Sequence, residues 1–158
     1  MSRVLVTGMS GAGKSTLLEE LGRRGHVTVD TDYDGWGTAD GLWDEERMDE
    51  FLAGHHDAVI SGTVDNQGRF YDRFEHVVLL SAPVEVLLER VRSRTTNPYG
   101  RTHTQQEEIR RYVDEVEPLL RRGASVELDG RRPVGELADA VELLLQTGPP
   151  RRVPRAGR

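Results

Sequence analysis

Arg3-Val4-Leu5-Val6-Thr7-Gly8-Met9-Ser10-Gly11-Ala12-Gly13-Lys14-Ser15-Thr16-Leu17-Leu18 decides the fold of this chain. A short apolar run reads as a buried strand over Arg3 to Thr7. It runs into Gly8-x-x-x-x-Gly13-Lys14-Ser15, the G-x-x-x-x-G-K-[ST] spacing, where glycines let successive backbone N–H groups converge on one hollow. Leu17, Leu18 and Leu21 then follow at i, i+1 and i+4, the core stripe of a helix from about Lys14 to Arg24 that Gly25 ends. The helix dipole adds its positive end to that hollow, so strand, loop and helix together make an anion site. Lys14 is the sole lysine among 21 lysines and arginines. A composition that uses arginine everywhere else keeps a compact ammonium here, as reaching the β- and γ-phosphates of a nucleotide requires. Gly8, Ser10, Gly11, Ala12, Gly13, Lys14, Ser15 and Thr16 are the expected nucleotide-binding residues, with the Ser15 hydroxyl offered to Mg²⁺.

Outward from this unit, short apolar runs alternate with amphipathic helical patterns, which predicts α/β architecture with a parallel sheet and helices on both faces. Strands are expected at Val27 to Val29, Ala58 to Ile60, Val77 to Leu80 and near Ser125 to Leu128. Helices are expected from about Leu42 to Ala53, from Pro83 to about Arg94, through Ile109, Tyr112, Val113, Val116, Leu119 and Leu120, and through Val134 to Leu145. Pro118 is expected to bend or shorten the third of these. Thr95 to Thr104 carries Asn97-Pro98 and Gly100 and reads as a mobile loop, a small lid of about residues 95–104. One domain over 1–146 is expected, followed by a Pro-, Gly- and Arg-rich tail, 147–158, predicted to be disordered.

The chain has 158 residues, a net charge of −6, no cysteine and a hydrophobic fraction of 36%. The size suits one domain, and the acidity argues against a dedicated nucleic-acid binder, which needs a net basic surface. Without cysteine there is no disulfide framework, thiolate metal site or catalytic thiol. No apolar run is long enough for a signal peptide core or a bilayer span, so the expectation is a cytoplasmic protein that does not engage a membrane. The five histidines show no metal-ligand spacing.

Asp30 and Asp32 lie at i and i+2 where the second strand ends, on the sheet edge that also carries the phosphate loop, and ligands of doubly wound sheets bind along that edge. One carboxylate is suited to holding Mg²⁺ through water and the other to accepting the proton of a substrate hydroxyl. Tyr33, Trp36 and Trp43 follow closely and are candidates for an apolar wall against the acceptor. Ser61-Gly62-Thr63 and Asp65-Asn66-Gln67, after the third strand, are further acceptor candidates, Asn66 among them. Arg90 and Arg94, one helical turn apart, and Arg101, across the loop, are placed to close over a transferring phosphoryl group and neutralise its charge.

With these motifs the chain resembles the P-loop small-molecule kinases, the group of shikimate, adenylate, gluconate and dephospho-coenzyme A kinases, over roughly residues 3–146. The resemblance implies a three-layer fold whose five parallel strands run in the order 2-3-1-4-5, with an arginine-bearing lid. Val29-Asp30-Thr31-Asp32 looks like the Asp-x-Asp of shikimate kinases, which assigns Asp30 to the magnesium and the acceptor, and Asp32 to the acceptor and catalysis. Arg90, Arg94 and Arg101 match the lid boundaries. Asp129-Gly130-Arg131-Arg132-Pro133 looks like the loop beside adenine in adenylate-type kinases, which adds Arg90 and Arg131 to the nucleotide contacts. The chain departs from the shikimate kinases in having Ser61-Gly62-Thr63 where they carry a glycine triplet. It departs from the adenylate type in having Ser61 for an aspartate.

The reading is an ATP- and Mg²⁺-dependent phosphotransferase, with Lys14, Asp32, Arg90, Arg94 and Arg101 catalytic. Its acceptor is a small molecule such as a nucleoside, a nucleotide or a shikimate-like polyol, and the protein is expected as a monomer or homodimer. Two other readings stand beside it. One is a nucleotide-occupied module that switches a partner protein and needs no acceptor pocket; the other is a nucleic-acid end kinase gripping phosphates with the arginine-rich tail, which the acidic pI disfavours.

Overall fold

The computed structural model describes residues 2–95 and 97–147. Strands β1 (Arg3–Thr7), β2 (Thr28–Asp30), β3 (Ala58–Ser61), β4 (His76–Ser81) and β5 (Val126–Asp129) form one five-stranded sheet of order β2-β3-β1-β4-β5. All four pairings are parallel. This is the expected order, with helices on both faces, and it puts β1 at the centre with its C-terminal end feeding the phosphate loop.

Burial on both faces explains why the central strands read as unbroken apolar runs. Along β1, Val4 and Val6 point into one core layer with Leu17, Leu18 and Leu21 of helix α1 (Lys14–Arg23) and Leu137 and Val141 of helix α6 (Val134–Gln146). Leu5, between them, points into the opposite layer with Ile60, Met48 and Leu52 of helix α2 (Glu45–Gly54), and with Trp36, Trp43, Phe70 and Phe74. A third, smaller cluster joins Leu88 and Val91 of helix α3 (Val84–Ser93) to Ile109 of helix α4 (His103–Glu115).

Local chemistry sets the element ends. The Asp44 carboxylate accepts from the Arg47 N–H at 3.1 Å and caps α2, with Glu45 and Glu46 favourable to the dipole in its first turn. Thr102 and Gln105 form a capping box that starts α4. The long apolar stripe expected through Leu120 is divided: α4 stops at Glu115, and α5 (Glu117–Gly123) restarts with Pro118 in its first turn, where the missing N–H costs nothing. A 3₁₀ helix over Gln67–Arg73 occupies a segment with no periodicity to announce it. Of the predicted lid, Thr96 lies outside the described residues, and the loop closes earlier than expected because α4 begins at His103. Thr147 terminates α6, and its carbonyl accepts from the Ser2 hydroxyl; the rest of the predicted tail, 148–158, lies outside the described residues.

Candidate active site

At the C-terminal end of β1 the chain turns through Gly8–Gly13 and enters α1. The turn is tightly enclosed. A Cβ on Gly8 would lie 2.3 Å from the Leu80 carbonyl oxygen of β4, and one on Gly11, at φ +87°, would lie 2.8 Å from the Leu87 carbonyl oxygen of α3. Glycine is required at both because backbone atoms occupy the space a side chain would need. Gly13, at φ +105°, caps α1 without any side-chain acceptor, so its first N–H groups face the hollow. The start of the loop is fastened from β3: the Thr63 hydroxyl donates to the Gly8 carbonyl at 2.7 Å and accepts from the Gly8 N–H at 3.2 Å. Gln67, almost fully buried, donates to the Thr7 hydroxyl at 3.0 Å.

The Lys14 ammonium folds back over this loop and donates to the Gly8 and Met9 carbonyls at 2.6 and 3.2 Å. Burial lowers its pKa, opposed by the nearby carboxylates of Asp32 and Asp30, with Arg94 adding to the lowering. The Ser15 hydroxyl donates to the Asp30 carboxylate at 2.6 Å, and the other Asp30 oxygen accepts from the Asp32 N–H at 3.2 Å. Asp30 is thereby fixed against the first turn of α1 and orients the start of the following loop.

Just past β2 the chain turns, the Tyr33 N–H donating to the Asp30 carbonyl at 3.2 Å: Asp30 and Asp32 stand on the side of the phosphate loop while Thr31 points inward. The Thr31 hydroxyl donates to the Ser61 carbonyl at 2.7 Å and accepts from the Trp43 indole N–H at 2.9 Å. Asp32 lines a cleft of about 1200 Å³ together with the whole phosphate loop, Tyr33, Thr63, Asp65, Tyr71, Arg90 and Arg94. Solvent reaches the Asp32 carboxylate, but the concave walls remove part of its hydration. That desolvation raises its pKa above the ordinary 3.8, Lys14 working against the rise and Asp30 with it.

The expected aromatic wall is built differently. Trp43, 1% exposed, lies in the core beneath β3, edge-on to Phe70, so its indole serves packing and the Thr31 hydrogen bond and does not face the cleft. Trp36 is buried edge-on to Phe51, with the Arg47 guanidinium 4.1 Å from its ring centroid. The Asn66 side chain accepts from the Trp43 N–H at 2.9 Å and donates to the Trp43 carbonyl at 3.0 Å, a buried clamp outside the cleft lining. Tyr33 of the original cluster does line the cleft, and Tyr71, Tyr99 and Tyr112, none of them expected at the site, line it as well.

Each arginine has a different station. Arg90 donates to the Gly11 and Ala12 carbonyls at 3.3 Å and to the Gly130 carbonyl at 2.8 Å, tying α3 to the phosphate loop and to the turn between β5 and α6. Arg94 lines the cleft and bridges the lid to the phosphate loop through the Ser10 hydroxyl at 3.2 Å and the Asn97 and Tyr99 carbonyls at 3.1 and 2.9 Å. Burial lowers its pKa. Arg101 is exposed, outside the cleft lining, and donates to the Arg94 carbonyl at 2.7 Å. Arg131 pairs with Asp129 at 2.8 Å on a separate groove, and its neighbour Arg132 is the one that lines the cleft.

The model of the AAA domain family AAA_18 matches residues 4–112, from β1 into α4. The chain belongs to that family. None of the curated proteins matches it. Among solved structures, this AAA-domain chain superposes on a shikimate kinase from Bacteroides thetaiotaomicron with a TM-score of 0.70 and 20% identity, over 92% of this chain and 98% of that one. A shikimate kinase from Acinetobacter baumannii, in complex with shikimate, gives 0.68 at 20% identity, over 92% and 93% of the two chains. A deoxyadenosine kinase from M. mycoides with bound dATP gives 0.63 at 13% identity, over 92% and 100%. The fold is that of the P-loop small-molecule kinases, and at these identities the likeness is one of fold alone. Among the described residues, no helix is long and apolar enough to cross a membrane, and no group of three or more histidines and carboxylates could hold a metal ion by itself.

Proposed function

We propose that this AAA-domain chain is an ATP- and Mg²⁺-dependent phosphotransferase acting on a small-molecule acceptor. One observation carries the reading: Asp32, a carboxylate with no hydrogen-bonding partner among the described residues, lines the same cleft as the Lys14 ammonium and the phosphate loop. A module that only holds nucleotide has no use for an unpaired carboxylate in that position. A phosphotransferase uses it to orient and deprotonate an acceptor hydroxyl.

Ser15 and Asp30 suit Mg²⁺, since a hydroxyl and a carboxylate held 2.6 Å apart are hard oxygen donors beside the phosphate hollow. A bound Mg²⁺ would neutralise phosphate charge there. In transfer, the backbone N–H groups of the loop and the first turn of α1 hold the β- and γ-phosphates, and Lys14 and Arg94 offset the charge of the γ-phosphoryl group. The acceptor oxygen bonds to the γ-phosphorus as the bond to the β–γ bridging oxygen breaks. ADP leaves with that electron pair, and the hydroxyl proton passes to Asp32.

The test measures ADP release from ATP and Mg²⁺ with pooled small metabolites, with oligonucleotides and with neither. Acceleration by a metabolite pool alone, absent in Lys14→Ala, is the expected result. Asp32→Asn should lower kcat by about 10²- to 10⁴-fold with the KM for ATP nearly unchanged. Tight nucleotide binding with no pool raising turnover would sink the reading in favour of a regulatory module.

A further inference from the structure

The charges lining the cleft are sorted by position and by engagement. Among the described residues its four cations are Lys14, Arg90, Arg94 and Arg132. Lys14 and Arg90 are spent on carbonyls of the phosphate loop and the adjoining turn, Arg94 on the Ser10 hydroxyl and two lid carbonyls, and Arg132 on Glu136. All four therefore belong to the phosphate loop, the lid hinge or the turn before α6. Of the three carboxylates that line the cleft, Glu108 accepts from the Tyr99 hydroxyl at 2.6 Å. The other two, Asp32 and Asp65, have neither an ion-pair nor a side-chain hydrogen-bond partner among the described residues.

Asp65 follows β3 as Asp32 follows β2, and these strands are neighbours, so both carboxylates stand at one sheet edge on the side of β1 away from β4 and the lid. Among the described residues, the remaining wall on that side comes from Tyr33, Thr63, Val64, Gln67 and Gly68, none of them a cation. An acceptor bearing a carboxylate or phosphate would meet two unpaired negative charges, and the nearest cations, Lys14 and Arg94, are turned to the phosphate loop and the lid, where the nucleotide competes for them. A protonated amine meets the opposite: a free carboxylate for its ammonium and the Tyr33 ring, which favours a cation.

We propose that the acceptor is a hydroxylated organic cation, a protonated amino alcohol or amino sugar, with its ammonium held by Asp65 and its reacting hydroxyl held by Asp32. This assignment rests on the phosphotransferase reading. Asp65 lies on an exposed loop and touches substrate without taking part in the transfer, so its removal acts on KM.

The test offers ATP and Mg²⁺ with three matched acceptor panels: amino sugars and amino alcohols, their N-acetylated or neutral polyol counterparts, and hydroxy acids with sugar phosphates. ADP release and the mass of the phosphorylated product are read for each. Turnover is expected with the cationic panel, and N-acetylation, which keeps every hydroxyl and removes the charge, should raise KM or abolish transfer. Asp65→Asn should raise the KM for the cationic acceptor about fivefold, with kcat and the KM for ATP within twofold of the parent. Faster phosphorylation of a neutral or anionic panel, or an unaltered KM in Asp65→Asn, would overturn the cationic acceptor and leave the phosphotransferase standing. Turnover at the Lys14→Ala background with all three panels would remove both.

Discussion

Replacing Trp43 by phenylalanine tests whether the indole belongs to the core or to the cleft. Trp43 is 1% exposed, and its N–H donates at 2.9 Å to a Thr31 hydroxyl that itself donates at 2.7 Å to the Ser61 carbonyl. Phenylalanine removes the donor and leaves a void where the pyrrole ring lay against Gly62, whose backbone passes so close that a Cβ there would sit 3.2 Å from the indole. The lost hydrogen bond is worth about 1 kcal/mol and the void about 1–2 kcal/mol, together about 2–3 kcal/mol. Against a typical domain stability of about 5–15 kcal/mol this is a large fraction, and at about 2–4 °C per kcal/mol it lowers Tm by about 4–12 °C. Urea unfolding should show a lower midpoint with an unchanged slope. A cycle with Thr31→Val should show that the two substitutions couple by about 1 kcal/mol. The KM of an acceptor should stay within twofold of the parent. A midpoint that does not move, accompanied by a tenfold rise in acceptor KM, would refute the core assignment and return Trp43 to the cleft wall.

Gly8→Ala forces a Cβ to 2.3 Å from the Leu80 carbonyl oxygen, so the loop must shift away from β4; nucleotide affinity measured by calorimetry should fall at least tenfold, and parent-like affinity would show the hollow to be less enclosed. Arg90→Lys replaces a fork that reaches Gly11, Ala12 and Gly130 with a single ammonium that cannot span them; the KM for ATP should rise about tenfold while kcat changes less, whereas a pure kcat loss would return Arg90 to the reacting phosphate. The pH profile follows from two shifts of opposite sign. Asp32 must be ionised to act as base and its pKa is raised above 3.8, so kcat should climb as pH rises through that higher value, and Asp32→Asn should lack this limb. Its ionisation also costs folding free energy, so this group's contribution to stability declines as pH rises from its unfolded to its folded value. Lys14 is lowered from 10.5, so the alkaline limb should fall below that figure.

Motifs that act through the backbone were legible in the sequence. The phosphate loop needs only glycines, a lysine and a hydroxyl at fixed offsets, and its geometry follows from them wherever a buried strand meets a helix. The sheet order came from the family resemblance, and the parallel character from apolar runs that both faces must bury. The side of the cleft beside β2 and β3 was less legible because its contacts cross elements. Asp30 and Asp32 face outward and Thr31 inward, yet only the pairing of β2 with β3, which sets Asp30 against Ser61 and puts the Thr31 hydroxyl on the Ser61 carbonyl, shows that Trp43 lies under the sheet beside Thr31. A sequence window cannot tell a tryptophan that walls a cleft from one that fills a core. Tyr71 entered the cleft through a 3₁₀ helix with no periodic signal, its ring over Gly123 of α5, where a Cβ would lie 2.3 Å from it.

The same distinction explains the arginines. Sequence spacing put Arg90 and Arg94 on one helical face, and both do point towards the phosphate loop. The two differ in their partners. Arg90 is held by three carbonyls, those of Gly11 and Ala12 in the phosphate loop and of Gly130 in the turn before α6. Arg94 holds two carbonyls of the lid and only one hydroxyl of the loop. A phosphate oxygen arriving beside Ser10 is a better partner for a partly desolvated guanidinium than a neutral hydroxyl is. On the phosphotransferase reading, Arg90 would therefore be the positioning residue of the pair, and Arg94 the one whose charge could reach the transferred group.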